Sequence, residues 1–233
     1  MSDDTEVREL KRQLRIARNH ADKKEESRLL NALGRYYMKP PANFDLAIDY
    51  HQKDLEVTIA MRDAKGEAVT RQCLGECYRE IKDFKQALKY HQDFLDIATR
   101  IKDHEKVQQA LTELGYTHEC IKEEESLKED RDEKIEQDAA AQALGFYQRS
   151  LEVAKALNSK ALICDALTNV GNTEDPKSAS ALEHLRASLR LAKELRDHLR
   201  EVCSVFSLCQ EFLSQTRQDV MVTWLHCIGC AES

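Results

Sequence analysis

The chain has 233 residues, of which 33% are charged and 42% hydrophobic, with only 7 glycines and 3 prolines and a net charge of −7. So few helix breakers among so many Glu, Lys, Leu and Ala residues point to long helices with enough apolar surface to fold. The acidic balance argues against a bulk nucleic-acid binder, which needs a basic excess to meet phosphates, and suits basic partners instead.

The spacing predicts a leading helix over residues 3–20, followed by alternating A and B helices. These run 23–39 and 44–61, 64–81 and 84–101, 104–121 and 138–157, and 160–173 and 178–196, with a last pair near 198–214 and 218–230. Asn43, just after Pro40-Pro41, is placed to cap the second helix of the first pair.

Internal repetition carries this reading. With Leu14, Leu55, Leu95, Leu151 and Leu189 as anchors, the residue three further on is Ala17, Thr58, Ala98, Ala154 or Ala192. The residue eight further on is Asp22, Asp63, Asp103, Ser159 or Asp197, each a good N-cap. Leu33-Gly34, Leu74-Gly75, Leu114-Gly115, Val170-Gly171 and Leu208-Cys209 then align, and Ala47, Ala87, Ala143 and Ala181 precede the last four anchors by eight. The glycine column marks close helix crossings, the alanine column permits a second one, and the leucines fill the seam. His51 and His91 share a column next to Tyr50 and Tyr90, as packing or groove-rim residues.

The expected fold is therefore all-α: one tetratricopeptide-repeat solenoid over 1–233, of about five antiparallel helix pairs. The anchors are 41, 40, 56 and 38 residues apart, longer than the common spacing of about 34. The long interval holds an acidic insertion at 122–138, KEEESLKEDRDEKIEQD, read as a solvated helical extension or loop.

Catalytic and metal chemistry have little to stand on. There is no phosphate-binding glycine loop, no HExxH and no nucleophile elbow. Cys227 and Cys230, beside His226, make half a zinc site with no second half. Cys73 and Cys77 fall on packing positions, and the 8 cysteines read as reduced thiols of the cytosol or nucleus. No apolar run of about 18 residues exists to span a membrane, and Met1 to Glu6 is not a signal peptide. No enzyme activity, cofactor, metal, membrane contact or direct nucleic-acid contact is expected.

What remains is the surface of the A helices. Positions flanking the glycine column place Asn31, Arg35, Met38 and Lys39 there in the first pair, and Gln72, Glu76, Arg79 and Glu80 in the second. The third contributes Thr112, Tyr116, Glu119 and Cys120, and the fourth Thr168, Asn172, Asp175 and Pro176, with Asn169 two before its glycine. This groove is basic near Arg35 and acidic from Glu76 onward, with amides able to hold a peptide backbone. Glu76 and Glu119 are both expected on the surface.

The segments FDLAIDYHQKDLEVTIAMRD and LGECYREIKDFKQALKYHQDFLDIATRIKDHEKVQQALTELGYTHECI resemble the N-terminal tetratricopeptide region of Tonsoku-like proteins. The YHQ-x-x-L and KDF-x-x-AL-x-YHQ phrases are the most specific part, and the likeness covers roughly 7–200. It implies a nuclear scaffold of replication-fork and double-strand-break repair, whose groove takes a basic histone tail or a replication partner. Ankyrin and leucine-rich repeats follow in that family, and this chain carries neither. The alternative is a cytoplasmic adaptor of the spindle-orientation or motor kind, anchored by Arg35, Lys39 and Arg79. Only Thr168-Asn169-Val170-Gly171-Asn172 approaches the NLGN phrase that spindle-orientation adaptors repeat.

Overall fold

Short caps and left-handed turns cut the chain into helices at the places the repeat columns mark. A computed structural model describes residues 2–175 and 178–208. The helices are α1 (Ser2–Asn19), α2 (Lys23–Tyr37), α3 (Phe44–Met61), α4 (Ala64–Glu80), α5 (Phe84–Arg100), α6 (His104–Ser126), α7 (Glu133–Ala156), α8 (Lys160–Thr173) and α9 (Ala179–Leu195). Residues 198–208 are also helical and are labelled α10. No strand occurs among the described residues. Pro176, Cys209, the expected helix at 218–230 and the Cys227, Cys230 and His226 group lie outside the described residues.

The turn chemistry explains two columns at once. Asp22, Asp63, Asp103, Ser159 and Asp197 accept the backbone N–H of the residue three further on, at 3.0, 3.0, 3.1, 3.5 and 3.1 Å. Each also donates its own N–H back to the carbonyl of Ala17, Thr58, Ala98, Ala154 or Ala192. That is the six-to-one bond that closes a helix C-terminus. The residue between is left-handed in every case: Ala21, Arg62, Lys102, Asn158 and Arg196, with Lys82 doing the same before cap Asp83. A single left-handed residue reverses the chain and passes from one helix straight into the next cap.

The chain divides into two compact units, residues 1–136 and 137–233. In the first, each of α1 to α6 packs on its neighbour in sequence. Leu14, Ala17, Leu29, Leu30, Leu33 and Val57 form one core cluster, and Ala47, Ile48, Leu74 and Cys77 form another. In the second unit, Ala143, Tyr147, Leu151, Ala166, Leu167 and Val170 form the core, and α9 packs on α8. Ala47, Ala87, Ala143 and Ala181 are completely buried. The leucine anchors are less uniform: Leu14, Leu95 and Leu151 are buried, but Leu55 and Leu189 are half-buried.

Three glycines of the column sit at close helix crossings. A methyl group added at Gly34 would stand 2.5 Å from the imidazole of His51, and one at Gly75 would collide with His91. At Gly171 it would stand 2.7 Å from Leu185. Each partner lies four residues before its leucine anchor, so His51, His91 and Leu185 are one structural position. Both histidines are fully buried core residues, which places them inside the crossing and away from any groove rim.

Most of the 122–138 insertion is helix. It lengthens the end of α6 and the start of α7 around a turn at 127–132. Glu125 holds that turn, accepting from Lys128 Nζ at 2.6 Å and from the Asp132 N–H at 2.9 Å.

Three outcomes follow from these contacts. Gly75→Ala should lower stability in urea by about 1–3 kcal/mol, because backbone or ring must move to admit the methyl. Combining it with His91→Ala should cost less than the two changes separately, since they share one contact. Lys102→Gly should raise stability by up to about 1 kcal/mol, since glycine occupies left-handed backbone without a Cβ clash. A urea midpoint that falls on Lys102→Gly would count against the turn assignment.

Candidate functional site

In the first unit the predicted positions of α2, α4 and α6 are present, but many of their groups already have partners. Arg35 is exposed and donates its Nε to Asn31 Oδ1 at 3.1 Å. Asn31 in turn points at the buried carboxylate of Asp54, at 3.4 Å. Ser27 and Thr70 hydroxyls donate to the same Asp54 at 2.5 and 2.7 Å. Gln72 is buried and donates to Glu76 Oε1 at 2.7 Å. Met38 and Cys120 are half-buried, and Lys39 and Glu80 are exposed. Thr112 bonds back to the Gln108 carbonyl at 3.1 Å, and Glu119 is half-buried.

The strongest feature of this face is an ion pair that the sequence reading did not name. Arg79 donates to Glu113 Oε2 at 2.7 Å, with side-chain exposures of 9% and 18%, and so is shielded from solvent. The guanidinium also lies over the Tyr116 ring, 4.4 Å from its centroid, and 3.4 Å from His91 Nε2. Glu113 sits two residues before Gly115, the position read as functional only in the fourth pair, at Asn169. Applying that column to every pair would have found it.

Glu76 is half-buried and not a freely exposed surface residue as expected. Burial pushes its carboxyl above the usual carboxylate range, and the charge of Glu113 pushes the same way. It lines a cleft of about 440 Å³ together with Arg35, Met38, Lys39, Cys73 and Glu6. Glu76, Glu80, Glu113 and Glu119 are thus four carboxylates on α4 and α6, and the one arginine among them, Arg79, is held by Glu113.

In the second unit Asn169 is half-buried, and Asn172 and Asp175 are exposed. Thr168 is turned inward: its hydroxyl donates to the Cys164 carbonyl at 3.1 Å and meets Ser188 Oγ at 2.6 Å, which continues to Ser204 at 2.8 Å. Thr168, Asn169 and Asn172 line a cleft of about 660 Å³ with Asp165, Asp197 and Arg200. Arg200 grips Asp165 through two bonds of 2.7 and 2.9 Å and also pairs with Asp197. Asp165 lies one turn before Thr168 on α8, and extending the predicted stripe by that turn would have included it.

Among the described residues no group of three or more His, Cys, Asp or Glu side chains is arranged to hold a metal ion. Burial pushes the Cys73 and Cys77 thiols up to about 12 each, so both are protonated and weak nucleophiles. No helix among the described residues is long and apolar enough to cross a membrane.

The chain is 26% identical over 153 residues to the Tonsoku-like protein of Mus musculus, and 27% identical over 153 residues to that of Bos taurus. These matches take in 66% of this chain but 10% of each relative, so the chain spans about a tenth of their length. No protein-family model matches it. Among solved structures it is similar to BtubC (BKLC) from P. vanneervenii, with a TM-score of 0.59, 13% identity and 93% of each chain covered. At that identity the likeness speaks for the fold alone. The chain is a helical-repeat protein related to the Tonsoku-like proteins.

The buried histidines set a pH dependence. Burial pushes His51 down to about 4 and His91 to about 3, and the guanidinium groups of Arg35 and Arg79 add to this. Both rings are neutral when folded, whereas an unfolded histidine takes up a proton near pH 6.5. Their stabilising effect is complete above about pH 6.5 and is lost as the pH falls toward the folded values. His51→Leu/His91→Leu, which copies Leu185 at the same position, should show a smaller drop in urea midpoint between about pH 7 and about pH 4.5. An unchanged slope would show that other groups carry the acid sensitivity.

Proposed function

We propose that this chain is the protein-interaction part of a nuclear repair scaffold of the Tonsoku kind, and that its α4–α6 face holds a basic peptide such as a histone tail. The observation that carries this is the carboxylate excess around Glu76. Four carboxylates stand on that face, Arg79 is already paired with Glu113, and Glu76 is a half-buried acid with no direct ion pair, held by Gln72 and with Arg35 in the same cleft. A lysine or arginine side chain of a ligand would add a direct cation partner in a partly desolvated place, where a charge pair is stronger than on open surface. Glu80 and Glu119 would extend the contact; the second unit, taken by itself, offers the amides of Asn169 and Asn172 and the carboxylate of Asp175. Kinship to Tonsoku-like proteins supports the nuclear and repair setting.

The alternative is a cytoplasmic adaptor that takes a mixed-charge peptide. It is favoured by the exposed Arg35 and Lys39, which share a cleft with Glu6 and Glu76. Imaging of the tagged protein separates the two readings, since nuclear foci after replication stress fit the first and cortical or microtubule staining fits the second.

Calorimetric titration with a histone-tail peptide tests the groove. Binding should be tightest at low salt and weaken as salt is added. It should also weaken as the pH is lowered, because a cation prefers the ionised Glu76, whose proton affinity burial raises. Glu76→Gln, a near-isosteric change, should lower affinity roughly tenfold and remove that pH dependence. Absence of binding at low salt would refute the basic-peptide reading.

A further inference from the structure

One face of helix α1 concentrates cations, in a chain whose net charge is −7. Arg8, Lys11, Arg15 and Arg18 follow one another at intervals of 3, 4 and 3 residues, which puts all four on one helical face, and all four are exposed. The neighbouring face, with Val7, Leu14 and Ala17, is buried in the first core. The stripe runs about 15 Å along the helix axis.

This stripe borders a cleft of about 340 Å³ between α1 and α3, lined by Lys11, Leu14, Arg15, Arg18, Tyr50 and Lys53. Its wall is a layered stack. Tyr37 and Tyr50 lie 5.6 Å apart and 4° from parallel, with Lys11 over the Tyr37 ring at 5.8 Å and Lys53 over the Tyr50 ring at 5.6 Å. Two carboxylates stand against the four cations of the cleft: Glu26 holds Arg18 at 2.7 Å, and Asp49 holds Lys53 at 2.5 Å. Lys11 has tyrosine hydroxyls as its polar neighbours, and Arg15 has no carboxylate partner. The cleft therefore keeps a positive excess in a chain whose net charge is −7.

We infer that the α1–α3 cleft is a second binding site, taking an acidic peptide segment of a partner protein. Charge complementarity selects an anionic ligand. Two observations select a peptide over a nucleic acid. The Tyr50 ring is stacked on Tyr37 and covered by Lys53, so it offers no open face for a base. The excess of negative charge over the whole chain also repels an extended polyanion, whereas a short segment within one Debye length, about 10 Å, feels mainly the local cations. An extended peptide needs only about five residues to follow the stripe, and its carboxylates could pair with Arg15 and Lys11 while another enters the cleft.

Fluorescence anisotropy on the whole chain tests the site, using a labelled peptide of about ten residues rich in Asp and Glu. The peptide should bind at low salt, its Asn/Gln counterpart should not, and Arg15→Glu/Lys53→Glu should weaken binding at least about tenfold. Glu76→Gln should leave this binding within about twofold, which separates the cleft from the groove on α4 and α6. Should the double reversal perturb the helical circular dichroism, Arg15→Gln alone, at a side chain without a carboxylate partner, should still weaken binding about threefold. Binding unchanged by the arginine substitution, or an oligonucleotide of equal charge binding as tightly as the peptide, would overturn the inference.

Discussion

At Gly34, Gly75 and Gly171 a helix pair closes where a side chain of the second helix presses on a glycine of the first. At Gly34 and Gly75 that side chain is a histidine, and at Gly171 it is a leucine. The crossing leaves no room for a Cβ, so it fixes how near the two helices lie and which residues around it are buried. It also strands polar atoms: both nitrogens of His51, and Nδ1 of His91, have no hydrogen-bond partner. Leaving a buried polar group unpaired costs about 1–3 kcal/mol. The leucine at Gly171 shows that packing does not demand an imidazole. In the second pair the ring has a further contact, because Arg79 lies 3.4 Å from His91 Nε2.

That contact links packing to the surface. Arg79 stands between the buried imidazole of His91, the carboxylate of Glu113 and the ring of Tyr116, and so joins α4, α5 and α6. Holding a guanidinium in a place 9% exposed is tolerable only with a carboxylate at hydrogen-bond distance. The same pairing commits the guanidinium to Glu113 and leaves Glu76 without a direct ion pair, with Gln72 as its hydrogen-bond donor. The acidic character of this face thus follows from the crossing beneath it as well as from its own residue list.

The helices and their order were legible because three columns have direct physical counterparts. The Asp and Ser column is a set of caps, the small-residue column is the set of carbonyls those caps bond back to, and the glycine column is the crossing. Less legible were the groups whose role depends on a neighbour in another helix. Residue counting put Glu76 on the surface, because a position three residues from a buried one can still be covered by the next helix. It could not reveal that Thr168 turns inward to Ser188, nor that Arg79 is already bound. The acidic composition of 122–138 suggested solvation correctly for most of its residues, but not that Glu125 would be a buried staple for its turn.

Within the first unit charges of one sign cluster on particular faces, although no helix carries one sign throughout. Cations line one face of α1, joined by Lys53 of α3, while Glu76, Glu80, Glu113 and Glu119 stand on α4 and α6. A random arrangement of so many charges would pair most of them through i, i+4 contacts, as Arg71 does with Glu67 and Lys53 with Asp49. The repeat itself supplies no reason for the clustering, since the columns that define it are caps, small residues, glycines and apolar anchors. Residues outside those columns can vary without disturbing a helix crossing, so a repeat protein can place opposite charges on neighbouring faces at almost no cost in folding. Faces of different charge would let one short stack present two surfaces of different chemistry.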